Sequence, residues 1–130
     1  MANWTYRCYD DGKSSDLWRR WYQENPKVRG AHNAAFEMLE QMEVWAPPNF
    51  KALGKDLYEV KFFGQDKRQW RVFGTIDLRN KEFIVLTIGY HKDRNYTPSN
   101  VMTKARERLY EIRENIGKAP ACERPGKEAA

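Results

Sequence analysis

The chain has 130 residues, 32% of them charged, and a formal net charge of +5, so it is long enough for one domain with a core. No apolar run reaches the roughly 18 residues of a transmembrane helix, and no apolar signal segment is present, which predicts a soluble, cytoplasmic protein. The two cysteines, Cys8 and Cys122, lie near opposite ends and match neither a disulfide framework nor metal-ligand spacing. We therefore expect reduced cysteines, no metal and no cofactor.

The positive charge is concentrated in the second part of the chain. Residues 1–50 contain 6 Lys and Arg against 7 Asp and Glu, a balance of −1, whereas residues 51–130 contain 17 against 11, a balance of +6. A basic region with interleaved aromatic residues is typical of proteins that bind nucleic acid or an acidic protein. It is equally compatible with a solvated surface that binds neither.

The first part of the chain predicts one strand followed by two helices. Residues 4–9 alternate in polarity as a strand does. Ser14 or Ser15 can then cap a helix that ends before Pro26, and a second helix should run from there to about Val44.

Three consecutive strands dominate the second part. They are predicted at residues 57–63, 69–76 and 82–90, and the turns between them are short, so neighbouring strands should be antiparallel. Residues 49–55 before them are predicted to form a loop, and the basic segment 91–98 after them a second one.

A final helix is predicted to start near Pro98 and to end at a cap at Gly117, because apolar residues recur in it every three or four positions. The composition then changes to Ala, Pro, Glu, Gly and Lys, which is typical of disorder. We therefore predict a single domain over residues 1–117 and a disordered tail over residues 118–130.

These elements predict an α+β fold of order β-α-α-β-β-β-α, an antiparallel meander whose helices all pack on one face of the sheet. Because side chains alternate between the two faces of a strand, the apolar positions should face the helices. Lys61 and Arg71 then lie side by side on the opposite, open face.

Four short segments of the second part share a pattern with a known group of proteins. They are Leu57–Phe62, Trp70–Phe73, Gly89–Pro98 and Val101–Leu109, in this order and with compatible spacing. In turn they resemble the "L-Y-E-L-R-F" strand, the "Y-R-V-F" strand, the "G-F-x-K-K-x-x-x-T-P" exit and the "E-I-x-x-A-x-x-R-L" helix of the RelE/ParE superfamily of toxins. The resemblance is closest to the phage-derived HigB-like branch and implies a RelE-like fold.

The resemblance also implies a function. It implies the toxin of a type II toxin–antitoxin system, which cuts mRNA on the ribosome and is neutralised by a cognate, HigA-like antitoxin with a helix-turn-helix. By motif position, Arg71 matches the catalytic arginine of RelE-type enzymes and Lys61 a lysine on the preceding strand. Tyr90 and His91 resemble the Tyr-His pair of some HigB toxins, whereas Glu59 replaces the family's second lysine.

These residue types suit metal-independent RNA cleavage by the ribose 2′-hydroxyl. His91 can act as base or acid because histidine titrates near neutrality, and Arg71 can hold two phosphate oxygens. Lys61 and Lys92 add positive charge where the phosphorane develops. The predicted catalytic residues are Arg71, His91, Tyr90, Lys92 and Lys61, and the predicted RNA-binding residues are Lys67, Arg68, Phe73, Arg94 and Tyr96.

Other interpretations fit the same residues. Arg71 can form a cross-strand ion pair with Glu59, and His91 can be a structural residue. Glu59 and Met102, where RelE carries catalytic groups, favour a non-catalytic homologue: a ParE-like gyrase inhibitor, or a module that binds an antitoxin or RNA. His32 is predicted to be a surface or boundary residue. No membrane partner is expected.

Overall fold

The computed structural model describes residues 3–13 and 16–127 and has a seven-stranded sheet and three α-helices, which confirms the α+β class. Short 3-10 turns precede the second helix and follow the third. In chain order the elements are β1 (Thr5–Cys8), α1 (Leu17–Glu24), α2 (Arg29–Glu40), β2 (Phe50–Gly54), β3 (Leu57–Phe63), β4 (Gln69–Asp77), β5 (Glu82–Lys92), β6 (Asn95–Thr97), α3 (Val101–Glu114) and β7 (Ala121–Cys122).

The strands lie in the order β2-β3-β4-β5-β1-β7, and β6 pairs with the far end of β5. β2 to β5 are antiparallel neighbours, whereas β1 runs parallel to β5. The predictions of loops at 49–55 and 91–98 are therefore wrong, since each segment contributes a strand. β2 pairs with β3 and β6 pairs with β5, and strands of this kind depend on their partner strand more than on local composition.

The prediction that all helices pack on one face of the sheet is also wrong. Phe83 and Val85 of β5 belong to the cluster formed with α1 and α2, whereas Ile84 and Leu86 belong to the cluster formed with α3. Consecutive residues of a strand point to opposite faces, so an uninterrupted apolar run makes both faces hydrophobic. Each face then requires its own covering helix.

Helix α2 ends at Glu40, short of the predicted end near Val44. The chain leaves the helical path there, and Trp45 buries its ring against Trp4 with the centroids 4.8 Å apart. The Trp4 indole N–H donates to the carbonyl of Met42 at 2.8 Å, which fixes this turn.

Helix α1 begins after Asp16, whose Oδ1 accepts the backbone N–H groups of residues 18 and 19 at 2.9 and 3.0 Å. The side chain thereby satisfies two of the N–H groups that the first turn leaves without helical partners. The predicted caps, Ser14 and Ser15, lie outside the described residues.

His32 is fully buried in the aromatic core between α1, α2 and the sheet, so its prediction as a surface or boundary residue is wrong. The Trp18 indole N–H donates to His32 Nε2 at 3.0 Å, and Nδ1 lies 2.9 Å from Asn33 Oδ1. These two partners satisfy the hydrogen-bonding capacity of both nitrogens of a neutral imidazole. Burial lowers the pKa of His32 to about 4, because the charged form would lose its hydration.

This burial predicts a pH-dependent stability. The folded pKa lies below the ordinary value of 6.5, so the unfolded chain takes up a proton that the folded chain does not. The contribution of His32 to the free energy of unfolding is therefore fully present above pH 6.5. It is lost as the pH falls towards about 4, and the total loss is about 3 kcal/mol. Urea unfolding across this pH range should show the slope in the wild type.

The two histidines of the chain provide a matched control. The slope should be reduced in His32→Gln, which removes the buried imidazole, and retained in His91→Gln, which leaves it in place. Equal slopes in the wild type and His32→Gln would contradict the assignment.

The prediction of a disordered tail over residues 118–130 is wrong for the part that the structure describes. β7 pairs with β1, Ala119 is fully buried, and Cys122 forms a disulfide with Cys8 whose Cα atoms are 5.8 Å apart. The expectation of reduced cysteines is therefore also wrong. Residues 128–130 lie outside the described residues.

The ion pair of Arg124 explains why the polar C-terminal segment packs against the domain. Its side chain is buried, and Nε and Nη2 donate to the two carboxylate oxygens of Glu40 at 2.8 and 3.1 Å. The Tyr6 hydroxyl donates to the same carboxylate. A bidentate, hydrogen-bonded pair compensates the charge that burial would otherwise penalise. The domain consequently extends past residue 117, its predicted boundary.

The longest helix, α3, has 14 residues, and no helix in the described part of the chain has the length and apolar character needed to cross a membrane.

Candidate functional site

The face of the sheet that carries α3 continues beyond the helix as a group of charged and aromatic side chains. We call these residues the β6 patch: Glu59, Lys61, Arg71, His91 and Tyr96. Strand register places Lys61 directly beside Arg71, and Gln69 beside both Phe63 and His91. The predicted neighbourhood of Lys61 and Arg71 is thus confirmed. Lys61, His91 and Tyr96 are half-buried, so the patch is partly accessible.

Arg71 and Glu59 form a buried ion pair at the base of the patch. Arg71 Nε donates to Glu59 Oε2 at 3.0 Å, and the two side chains are only 12% and 3% exposed. The alternative prediction, that Arg71 forms a cross-strand ion pair with Glu59, is therefore confirmed. Arg71 Nη1 is buried and has no hydrogen-bond partner among the described residues. An unpaired donor of this kind is costly, and a phosphate oxygen would satisfy it.

Tyr96 of β6 connects the members of the patch. Its ring centroid lies 4.9 Å from that of His91, 5.7 Å from that of Phe73, and 5.8 Å from Cζ of Arg71. Burial, and then the negative charge of Glu59, raise the pKa of the Tyr96 phenol above its ordinary value. The phenol therefore stays protonated at neutral pH.

Gly89 allows β6 and α3 to approach the patch. It lies beside Arg71 in the register of β4 and β5. A Cβ atom at this position would lie 2.7 Å from the carbonyl oxygen of Thr97 and 3.1 Å from Cγ2 of Val101. Any larger residue would push the β6–α3 connection, and with it Tyr96, away from the strand.

The predicted Tyr90-His91 pair is divided between the two faces of the sheet. Tyr90 packs against Trp70 with the ring centroids 4.9 Å apart, and the Arg68 guanidinium lies 4.4 Å above its ring. His91, one residue later, lies on the patch face beside Tyr96. Adjacent strand residues point in opposite directions, so Tyr90 and His91 cannot contact the same atoms of a small reacting group.

The predicted residues therefore fall into two sets. The structure brings Lys61, Arg71, Phe73, His91 and Tyr96 together on one face. The others lie apart from this set: Tyr90 and Arg68 on the opposite face, Lys67 exposed between β3 and β4, and Lys92 and Arg94 exposed where β5 turns into β6.

Two residues of this region were missing from the predicted site. Glu59 was considered only as a partner or a departure from the family pattern, although its burial makes it the fixed support of Arg71. Phe63, at the end of β3, is 58% exposed on the patch face. Phe63 follows Glu59 and Lys61 on this face of β3, and an apolar residue after two charged ones at the end of a strand was the available signal.

A group of potential metal ligands lies elsewhere, where β1 meets β7. The ligand atoms of Cys8, Asp16 and Cys122 are within 4.8 Å of one another. Both sulfurs belong to the disulfide, so they offer no thiolate to a metal ion.

Comparison with known proteins gives one family. The family described as "Phage derived protein Gp49-like (DUF891)" matches residues 22–110, more than half of the chain. The matched range runs from α1 into α3 and contains every residue of the β6 patch. No curated protein and no solved structure gives a significant match.

Proposed function

The chain belongs to the phage-derived Gp49-like family, a family of RelE/toxin-like proteins, and from this premise we propose that it is a toxin that cuts mRNA on the ribosome. The observation that supports the proposal best is that Arg71 and His91 both lie close to Tyr96, with Lys61 beside Arg71, on a partly accessible sheet face. Two cations, an imidazole and a protonated phenol are the groups that phosphodiester cleavage by a ribose hydroxyl requires.

The proposed reaction needs no group from outside the chain and the RNA. His91 accepts the proton of the 2′-hydroxyl while the 2′-oxygen attacks phosphorus. The bond from phosphorus to the 5′-oxygen breaks, and Tyr96 donates its proton to that leaving oxygen. Arg71 and Lys61 stabilise the negative charge of the phosphorane. The products are a 2′,3′-cyclic phosphate and a 5′-hydroxyl.

Glu59 is a positioning residue in this scheme. It holds Nε of Arg71, and Nη1 is left without a hydrogen-bond partner among the described residues. The pair has no net charge, so attraction of RNA depends on the uncompensated cations around the patch. In the described part of the chain these are Lys61 within it and the exposed Lys92 and Arg94 where β5 turns into β6.

We further propose a cognate antitoxin, of the HigA-like, helix-turn-helix kind, as the partner that keeps the toxin inactive. The toxin-like family supports this, because a free enzyme that destroys translated mRNA would stop the growth of its own host. Co-expression of the neighbouring reading frame should restore growth, and copurification should recover both chains.

Induced expression in bacterial cells tests the proposed function. The wild type should stop growth and produce mRNA cuts at codons, which primer extension maps. His91→Ala should reduce the cleavage rate by about 10²-fold or more. Arg79→Ala is the control, because Arg79 is an exposed cation in the β4–β5 turn, at the opposite end of β4 from Gln69. The proposal would be contradicted if expression of the wild type did not slow growth, or if His91→Ala cut mRNA as fast as the wild type.

A second candidate function is favoured by the buried Arg71–Glu59 pair, because the central cation is already neutralised. A non-catalytic homologue, such as a ParE-like gyrase inhibitor or a module that binds an antitoxin or RNA, would need no free cation there. Purified protein added to translating ribosomes and to a supercoiling reaction distinguishes the two. Intact mRNA with inhibited gyrase would favour the second candidate, whereas cuts at codons would exclude it.

A further inference from the structure

An exposed aromatic side chain extends the β6 patch in the direction away from Tyr96. Phe63 is 58% exposed and shares its face of β3 with Lys61, two residues earlier. In the register of the sheet it lies beside Gln69, which in turn lies beside His91. One row across three strands therefore begins with a phenyl ring and ends with an imidazole.

Phe63 borders a shallow hollow of about 240 Å³. Its lining combines apolar residues, a lysine and two residues with side-chain amides. The Gln69 amide is exposed and can both donate and accept hydrogen bonds, as the edge of a nucleobase does. The lining residues are Pro48, Asn49, Lys61, Phe62, Phe63 and Gln69.

The spacing suits single-stranded RNA. Neighbouring strands are about 4.8 Å apart, so the backbones at Phe63 and His91, two strands apart, are separated by about 10 Å. Lys61 and Arg71 lie beside each other in the next row of the same face. A strand of RNA lying across the sheet would meet cations at its phosphates and an aromatic ring at each end of the row.

We infer that Phe63 is a stacking platform for one nucleobase of single-stranded RNA, with Lys61 at the adjacent phosphate and Gln69 at the base edge. The inference rests on the proposed function and names a binding subsite for its substrate. Stacking on an aromatic ring tolerates any base, because every base has a π-face. The subsite thus supplies affinity with little sequence preference.

Fluorescence anisotropy with a short labelled RNA, titrated at several KCl concentrations, tests the inference. Phe63→Ala should weaken binding about tenfold or more, and Phe63→Trp should retain it. Tyr110→Ala is the matched control, because Tyr110 is an aromatic residue of α3 that is 67% exposed. The same RNA backbone carrying abasic sites should bind the wild type and Phe63→Ala equally.

The salt dependence separates stacking from charge. Phe63→Ala should leave the slope of log affinity against log salt unchanged, whereas Lys61→Ala should reduce it by about one. Equal affinity of the wild type and Phe63→Ala would overturn the inference, as would a loss that persists on the abasic strand. Wild-type protein that binds neither strand but still cuts mRNA on ribosomes would also overturn it and leave the proposed function intact.

Discussion

Replacing Arg71 with alanine is expected to abolish toxicity and also to lower the free energy of unfolding by about 3–5 kcal/mol. The two effects have different origins. Loss of toxicity is expected from removal of the proposed phosphate contact, whereas the loss of stability is expected because Glu59, 3% exposed in the wild type, would lose its buried partner. Urea unfolding at pH 7 measures the second effect, and growth of induced cells measures the first.

A loss of toxicity in Arg71→Ala alone would therefore not identify a catalytic residue. The informative variant replaces both partners, Glu59→Leu with Arg71→Met, because apolar residues of similar volume remove the unpaired charge. We expect this double variant to unfold near the wild-type urea concentration and to remain non-toxic. Recovery of toxicity in it would show that Arg71 serves only to neutralise Glu59.

Reduction of the disulfide is expected to lower the free energy of unfolding by about 4 kcal/mol. Cys8 and Cys122 are separated by 114 positions, so the bond closes almost the whole chain into a loop and restricts the unfolded state strongly. Urea unfolding of oxidised and dithiothreitol-treated protein should differ by this amount. Hydrogen exchange in β7 should also become faster after reduction.

The variant Cys8→Ala with Cys122→Ala controls for the reductant itself. Its stability should match that of the reduced wild type and should not respond to dithiothreitol. Equal stability of oxidised and reduced wild type would show that packing and the Arg124–Glu40 ion pair, with Nε–Oε2 at 2.8 Å, hold the segment without help from the bond. Free thiols in untreated protein would show that the bond does not form in solution.

The sequence by itself determined the secondary structure of the central meander and of α3. Residues 57–63, 69–76 and 82–90 combine strand-forming residues with short turns, and both features are local. Alternation along a strand also placed Lys61 and Arg71 on one face, because side-chain direction there follows from position alone. β5 carries an uninterrupted apolar run over residues 83–86, but only the tertiary structure showed that α3 covers its second face.

The tertiary structure also decided which predicted residues lie close together. The β5–β6 turn brings Tyr96 back over His91 and Arg71, and no spacing in the sequence encodes that return. Arg71 pairs with Glu59 rather than standing free, because the register of β3 and β4 sets that contact. Tyr90 and His91, neighbours in the motif, separate onto opposite faces of β5.

The least predictable features join positions far apart in the chain. The Cys8–Cys122 bond and the Arg124–Glu40 ion pair fix the C-terminal segment to β1 and α2. Its composition indicated disorder because a local window contains too few apolar residues to support folding. The contacts that order the segment come from β1 and α2, whose positions depend on the fold of the whole domain, so only the tertiary structure could show them.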